Sequence, residues 1–365
     1  MHFKKLLCLF VLIFTTLLVL WTFRDYYGSY IYTSDEKLKP VKSKENQNMI
    51  SPHEAHISSS NEGKFKRKVL LVIGIVSAPT REDRRKAIRQ TWMNDACKKK
   101  PNVVCRFFTD SLSNMDRKWK GILTEEHSKY NDIEFMTVPR GLNFGLRMLW
   151  LIDWSISNYD FDFLLRLDDD YLVCLERLVN ELKTRKALRL YWGYFHCMQE
   201  GQVRADEAFL MLSKDVIKSI LQHRDDLFCS PFGDQSVAMW MKRIDHVIYF
   251  HDTRLLHEGM KSGKYATDQL CQSYIGVHNV YPSNAFEIWK QFRLQKKVIY
   301  DVPEIIPFNK LCKYSKLFDW RNMEEEYRFK PDRCINEPVW KHIKMWGGKG
   351  NRAEVPWYKR KIIRS

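Results

Sequence analysis

Residues 69–78 read VLLVIGIVSA, a continuous apolar run that ends immediately before Pro79. An apolar run without polar alternation predicts a strand that is buried on both faces, as in a parallel sheet. The next four residues, Thr80-Arg81-Glu82-Asp83, predict the start of a helix with Thr80 as its N-cap. A strand, a tight loop and a helix in this order are the opening of an α/β domain.

The same alternation continues along the chain. Further strands are predicted at 103–109 and 161–167, and further helices at 146–157 and 171–182. We therefore predict one catalytic domain over residues 67–298. A basic, proline-containing and aromatic extension, residues 299–365, is predicted to pack on this domain and to be joined to it through its two cysteines, Cys312 and Cys334.

The N-terminus predicts a membrane anchor. Leu6 to Phe23 form an uncharged and mostly apolar run of 18 residues, preceded by Lys4 and Lys5, which is long enough to span a bilayer with residues 1–5 in the cytoplasm. A cleaved signal peptide is the alternative, but no small-residue cleavage site follows the run. We expect a transmembrane signal-anchor at 6–23, and a luminal stem at 24–66 that is too polar to fold.

Composition narrows the class of partner. The formal charge of +16 suits nucleic acid, phospholipid headgroups, nucleotide-sugars or sulfated glycans. A luminal domain behind an anchor argues against a nuclear role, so we expect no nucleic-acid partner. Eight of the nine cysteines lie outside the anchor, and such an even set can pair in an oxidising compartment.

An acidic triplet, Asp168-Asp169-Asp170, follows the strand at 161–167. Ligands of open α/β sheets bind at this carboxyl edge, and a hard divalent cation would relieve the repulsion among three carboxylates. Such a cation could neutralise a departing diphosphate. The alternative is that Asp170 caps a helix that begins at Tyr171, with the other two carboxylates solvated.

Three segments resemble one known family: RRKAIRQTW at 84–92, the acidic triplet, and Gly233-Asp234. Together they are similar to the β1,3-galactosyltransferase family, glycosyltransferase family 31, over about Leu70 to Cys334. Within the family, the chain most resembles the member that adds the second galactose of the glycosaminoglycan linkage region. The resemblance implies a GT-A fold, a Rossmann-like mixed sheet with helices on both faces, together with UDP-galactose as donor, Mn²⁺ as cofactor and inversion at the anomeric carbon.

The resemblance also implies roles for single residues. The metal ligands would be Asp170, Asp168 and His278, with His251 and His257 as fallback candidates. The general base would be Asp234, which matches the second acidic residue of the family's Glu-Asp-Val signature, here altered to Gly233-Asp234-Gln235. The alternative for Asp234 is an N-cap, because turn residues precede an apolar helix.

The nucleotide-sugar is expected to contact Asp169, Arg85, Arg89 and Arg166. Arg85 and Arg89 lie one helical turn apart and share a face, so they either reach the nucleotide or form structural ion pairs. Arg166 projects on the same strand face as Asp168, where it either holds the diphosphate or balances the carboxylates. Trp192 is expected on the acceptor side.

These expectations describe an inverting β1,3-galactosyltransferase of the Golgi membrane, single-pass and type II, acting on a glycan such as the galactosyl-xylosyl primer of proteoglycans. Two alternatives stay open: a β1,3-N-acetylglucosaminyltransferase of the same family, and a catalytically degenerate glycan-binding member. The segments at 199–207 and 141–145 depart from the family pattern, which leaves the acceptor undetermined.

Overall fold

A computed structural model describes residues 66–97, 99–257, 270–293, 302–321 and 330–340, all within the compact unit Phe65–Ser365. The expected cytoplasmic tail and signal-anchor, and the stem up to residue 65, lie outside the described residues. Within the described part of the chain, no helix is both long and apolar enough to cross a membrane.

The described strands alternate with helices through most of the chain. In chain order the strands are β1 (Arg67–Val76), β2 (Val103–Asp110), β3 (Ile133–Met136), β4 (Tyr159–Asp168), β5 (Leu172–Val173), β6 (Leu190–His196), β7 (Arg204–Ser213), β8 (Phe228–Cys229), β9 (Ile248–His251), β10 (Leu255–Leu256), β11 (Gly276–Val277) and β12 (Asp332–Arg333). The helices are α1 (Glu82–Gln90), α2 (Trp92–Ala96), α3 (Arg117–Tyr130), α4 (Phe144–Asn158), α5 (Leu175–Leu182), α6 (Lys214–Gln222), α7 (Gly233–Met241), α8 (Leu270–Ser273), α9 (Pro282–Arg293) and α10 (Phe308–Leu311).

Seven strands form the main sheet in the order β3-β2-β1-β4-β7-β6-β9. β7 is antiparallel to both of its neighbours, and the remaining pairs are parallel. The beginning of β7 therefore lies at the edge of the sheet where β1, β4 and β6 end. This mixed α/β sheet agrees with the expected fold class.

β1 is buried on both faces, as its apolar run predicts. Leu71, Ile73 and Ile75 belong to the core on one side of the sheet, whereas Val72 belongs to the core on the other side. Because β1 lies between two parallel neighbours with packed layers above and below it, it has no polar face to present to water.

Two expected helix starts are wrong. The helix expected from Tyr171 begins at Leu175, because Leu172 and Val173 pair with β11 as a strand, so Asp170 does not cap it. In α1 the N-cap position belongs to Arg81 rather than Thr80, and no side chain caps it. The other expected strands and the helix expected at 146–157 agree with β2, β4 and α4 to within a few residues.

The eight cysteines from Cys97 onward pair as four disulfides: Cys97–Cys105, Cys174–Cys271, Cys197–Cys312 and Cys229–Cys334. Two of these bonds join Cys312 to Cys197 and Cys334 to Cys229, so both cysteines after residue 299 are linked to residues within 67–298. The Cys174–Cys271 bond holds the segment after β5 to α8, close to the β5–β11 pair.

Candidate active site

Polar residues from distant parts of the chain meet at one edge of the main sheet. Asp168 is the last residue of β4, and His196 is the last residue of β6. Asp206 and Glu207 lie near the beginning of β7, whose first residues pair with the end of β6. The antiparallel direction of β7 therefore adds two carboxylates to an edge that otherwise carries the ends of parallel strands.

Asp168, Asp170 and His278 form a group whose ligand atoms lie within 4.8 Å of one another. His278 directly follows β11, and the antiparallel pairing of β11 with β5 brings it beside Asp170, 108 positions earlier in the sequence. The backbone N–H of Val280 donates to the carbonyl oxygen of Asp170 at 2.8 Å, and the His278 ring stacks on Tyr171 with 5.9 Å between ring centroids. Both contacts hold the imidazole in place.

The geometry of this group fits a divalent cation. His278 Nε2 lies 3.3 Å from Asp170 Oδ1, and adjacent ligands at about 2.1 Å from an ion stand roughly 3 Å apart. Two carboxylates and one imidazole are ligands that divalent metals accept. About a third of the Asp168 side chain is exposed, 32%, so water and a diphosphate could complete the coordination.

Without a metal, Asp170 and His278 form an ion pair. Burial lowers the pKa of His278, but the charge of Asp170 and its hydrogen bond outweigh burial and raise the pKa to about 9. Burial opposes ionisation of Asp170, but His278 and then Arg84 lower its pKa to about 2. A metal that binds here must displace the imidazole proton, so metal affinity should depend on pH.

Asp169 was expected to contact the nucleotide-sugar, and in the structure it binds two neighbouring side chains. Its Oδ1 accepts from Arg84 Nη1 at 2.6 Å, and its Oδ2 accepts from Ser77 Oγ at 2.8 Å. Arg84 also lies 3.3 Å from Asp170 Oδ2. The carboxylate is buried and both of its oxygens are occupied, so Asp169 joins β1, α1 and β4 beneath the site.

Arg85 and Arg89 share a helix face, but that face turns toward α3. Both guanidinium groups bind Glu126, at 2.7 and 2.6 Å, and Arg89 also binds Asp132 at 2.8 Å. Arg85 is completely buried. The expected contact with the nucleotide is therefore wrong for Arg85, and both arginines form the structural ion pairs that were the alternative.

Arg166 connects two carboxylates of the site. Its Nη1 lies 2.6 Å from Asp168 Oδ1 and donates to the carbonyl oxygen of Glu207, while its Nη2 lies 3.6 Å from Glu207 Oε2. The guanidinium is buried, so it acts on the carboxylates around it. This arrangement corresponds to charge balance, the second of the two expected roles of Arg166.

Asp234 is the second residue of α7, whose N-cap position belongs to Phe232, so the N-cap alternative is wrong. Its Oδ1 accepts the backbone N–H of Gln235 at 2.8 Å, and its Oδ2 accepts from Arg204 Nε at 2.8 Å. A carboxylate in the first turn of a helix is favoured by the helix dipole. The structure thus orients the Asp234 carboxylate through a backbone N–H of α7 and the Arg204 guanidinium.

His257 belongs to a second polar group, in which His196 Nε2 and His257 Nδ1 lie 2.8 and 3.4 Å from Asp206 Oδ2. The hydrogen bond from His196 and the neighbouring imidazoles lower the pKa of Asp206 although burial opposes this. His251 accepts the backbone N–H of Phe195 at its Nδ1, and burial lowers its pKa. His251 is therefore neutral and does not join the group of Asp168, Asp170 and His278.

Trp192 is not available to an acceptor. Its side chain is completely buried in the core, where its indole N–H donates to Asp252 Oδ2 at 3.0 Å and its ring packs on Phe250. The expectation that Trp192 contacts the acceptor is contradicted by this burial.

Several residues of the site were not expected from the sequence: Arg84, His196, Arg204, Asp206 and Glu207. Arg84 stands next to Arg85, and helical periodicity alone cannot show which of the two faces the acidic triplet. Arg204, Asp206 and Glu207 depend on the direction of β7, because a parallel β7 would carry its first residues to the opposite edge of the sheet, whereas His196 lies at this edge as the last residue of β6. A polar pair at the beginning of an otherwise apolar strand was the available signal.

The part of the chain that carries this site is similar to known proteins. The family model described as galactosyltransferase matches residues 83–208, which include the acidic triplet. Beta-1,3-galactosyltransferase 6 of Mus musculus is 23% identical over 72% of this chain and 83% of its own length. Probable beta-1,3-galactosyltransferase 5 of Arabidopsis thaliana is 29% identical over 40% of this chain and 38% of its own.

Among solved structures, a glycosyltransferase involved in the glycosylation of the major capsid of PBCV-1 matches 60% of this chain and 99% of its own, with 13% identity and a TM-score of 0.39. The family model and the curated relatives show that the chain is similar to β1,3-galactosyltransferases and is a galactosyltransferase-like enzyme.

Proposed function

We propose that this enzyme transfers galactose from UDP-galactose, in β1,3 linkage and with inversion, to a hydroxyl of a glycan acceptor. The convergence of Asp168, Asp170 and His278 at the carboxyl edge of the sheet, within 4.8 Å of one another, carries the proposal. These three side chains would hold Mn²⁺, and the fold would be of the GT-A type. The bound cation would neutralise the charge that develops on UDP as it leaves.

The protein's own groups support both sides of the transfer. On the donor side, Arg84 and Asp169 fix the position of Asp170 from below. On the acceptor side, Asp234 would take the proton of the attacking hydroxyl, and its Oδ2 is oriented by Arg204. A base held within reach of the acceptor is what inversion by a single displacement requires.

The acceptor and the location belong to the same proposal. A galactosyl-xylosyl primer of proteoglycans is the proposed acceptor, and a Golgi membrane with the catalytic domain in the lumen is the proposed location. The four disulfides support an oxidising compartment.

A matrix of donors and acceptors tests the proposal. UDP-galactose and UDP-N-acetylglucosamine are each offered with β-galactosides and galactosyl-xylose, with Mn²⁺ or with EDTA, and the linkage of every product is determined. Metal-dependent transfer of galactose into a β1,3 linkage is expected. Transfer of N-acetylglucosamine would indicate the sibling activity, and UDP binding without transfer to any acceptor would indicate a glycan-binding protein.

Two substitutions test the assigned residues. Asp170→Asn should abolish the stimulation by Mn²⁺, whereas Asp162→Asn, a change of the same kind earlier on β4, should leave it intact. Asp234→Asn should lower kcat by about 100-fold or more, the size of a typical general-base contribution. Full transfer by Asp234→Asn would show that another group takes the proton.

A further inference from the structure

Glu207 is a carboxylate of the site to which the proposed reaction gives no role. It lies near the beginning of β7 with 18% of its side chain exposed. Its Oε2 accepts the backbone N–H of Gly233 at 2.9 Å and lies 3.6 Å from Arg166 Nη2. Its Oε1 has no hydrogen-bond partner among the described residues, so one oxygen is left for a ligand.

Gly233 makes room for this carboxylate. A Cβ atom built on Gly233 would lie 2.4 Å from Glu207 Oε2, closer than side-chain atoms approach. The backbone of Gly233 is not in the left-handed region, so its conformation does not require glycine. The absence of a side chain therefore provides space, and Glu207 fills that space from the neighbouring strand.

Glu207 and Asp234 lie on either side of Gly233 and differ in their hydrogen bonds. Both oxygens of Asp234 have donors within the protein, from Gln235 and Arg204. Among the described residues, only one oxygen of Glu207, Oε2, has a hydrogen-bond donor. The two carboxylates thus form a pair at the beginning of α7, in which one is oriented by the protein and the other has a free oxygen.

The surroundings of Glu207 favour a proton on that free oxygen. Burial is the main cause that raises its pKa, to about 8; Arg166 opposes this, and the charges of Asp234, Asp168 and Asp206 add to it. Oε2 already accepts from Gly233, so a proton would reside on Oε1. A sugar hydroxyl can both donate and accept, and it can therefore bond to Oε1 in either state.

We propose that Glu207 is a specificity-determining residue of the acceptor subsite, whose Oε1 hydrogen-bonds to a sugar hydroxyl adjacent to the one that Asp234 deprotonates. The inference rests on the proposed function and names the class of acceptor: a glycan whose terminal sugar carries two neighbouring free hydroxyls. A site that hydrogen-bonds a hydroxyl rejects analogues that lack it, because the protein group is then left unpaired.

Helix capping is the competing explanation. Phe232 at the N-cap offers no side-chain hydrogen bond, and Glu207 Oε2 satisfies a free N–H in the first turn of α7, as capping side chains do. A cap alone would affect folding and leave the acceptor untouched. The experiment must therefore measure stability and acceptor binding separately.

The test compares Glu207→Gln, Glu207→Ala and Gly233→Ala with the wild-type enzyme and its best acceptor. We expect Glu207→Ala and Gly233→Ala to raise the acceptor KM by roughly 10- to 100-fold, the effect of one lost hydrogen bond to a buried polar group. Glu207→Gln should raise it less, because its amide can still donate to the sugar hydroxyl. The donor KM should change less than the acceptor KM, because Glu207 is not among the proposed metal ligands. Gly121→Ala on α3, where a Cβ meets nothing within 4 Å, is the matched control and should behave as wild type.

Two further measurements sharpen the test. Gly233→Ala should have no additional effect in the Glu207→Ala background, because the clashing carboxylate is then absent. An acceptor that lacks the neighbouring hydroxyl should bind wild type more weakly than the complete acceptor does. It should bind Glu207→Ala with the same affinity as wild type.

Each other outcome overturns the inference. An unchanged acceptor KM with a lower Tm in Glu207→Ala would show that Glu207 only caps α7. A lower kcat with an unchanged acceptor KM would show that Glu207 transfers a proton. Both results would leave the proposed transferase activity standing. Absence of transfer by the wild-type enzyme would refute the proposed function and this inference with it.

Discussion

The buried ion pair of Arg84 and Asp169 yields the sharpest prediction about stability. Only 6% of the Arg84 side chain and 9% of the Asp169 side chain are exposed, and the charged atoms lie 2.6 Å apart. Arg84→Met removes the charge while it keeps a side chain of similar reach. Breaking a buried pair from one side typically costs about 3–5 kcal/mol, because the other charge is left uncompensated.

We expect the lower end of this range, about 3 kcal/mol. Asp169 keeps the hydrogen bond from Ser77 Oγ at 2.8 Å, and it can also relieve its burial by taking up a proton. Asp170 loses its contact with Arg84 but keeps His278. Both remaining interactions limit the damage to one uncompensated carboxylate.

Thermal unfolding of the purified protein in EDTA measures this effect. A loss of about 3 kcal/mol corresponds to a decrease in Tm of roughly 6–12 °C for a domain of this size. Arg117→Met, which replaces an exposed arginine of α3, is the control and should change Tm by less than about 2 °C. Arg84→Met with a Tm as close to wild type as this control would refute the reasoning.

Three other measurements follow from the same contacts. Glu126→Gln should lower the free energy of unfolding by about 3 kcal/mol, because it removes the charge shared by two buried guanidinium groups. The donor KM of this variant should match that of wild type. A changed donor KM would indicate that Arg85 and Arg89 contact the nucleotide after all. In metal-free protein, burial lowers the pKa of His278, but the charge of Asp170 outweighs it and raises the pKa to about 9. The stability that this ion pair contributes is therefore complete below about pH 6.5 and is lost as the pH rises through 9. Between about pH 6.5 and pH 9, the Tm of wild type in EDTA should therefore fall more steeply than the Tm of His278→Gln. If the two plots of Tm against pH are parallel, His278 and Asp170 do not form a stabilising ion pair. Replacing Cys197 and Cys312 by serine opens a disulfide with a sequence separation of 115. This change should lower the free energy of unfolding by about 2 kcal/mol more than opening the Cys97–Cys105 disulfide, whose separation is 8. Equal losses in Tm would argue against an effect of loop length.

Local sequence predicted the elements that carry the donor side of the site. The apolar run of β1 and the alternating residues of β4 specify buried strands, and the acidic triplet follows β4 without a break. The position of Asp168 at a carboxyl edge could therefore be predicted from about 20 residues. The inclusion of His278 came from family resemblance, since a lone histidine after a short apolar segment has no local signal.

Local sequence was least informative about which neighbouring element the side chains of a helix or strand contact. Arg84, Arg85 and Arg89 lie on one short helix, and periodicity shows that the last two share a face. It does not show whether that face meets α3 or the acidic triplet, because the answer depends on how the helix packs against its neighbours. Trp192 illustrates the same limit, since its alternation pattern is compatible with either face of the sheet and the structure places it in the core.

The sequence by itself determined an α/β domain, a carboxylate triplet at the end of a strand and an even set of pairing cysteines, because these features depend on residues that are close together in the chain. Tertiary structure alone decided that His278 meets Asp170, that Arg84 rather than Arg85 supports the triplet, and that Glu207 fills the space beside Gly233. The pairing of β5 with β11 and the reversed direction of β7 bring these residues together. Such long-range packing is chosen by the whole core, and no local pattern records it.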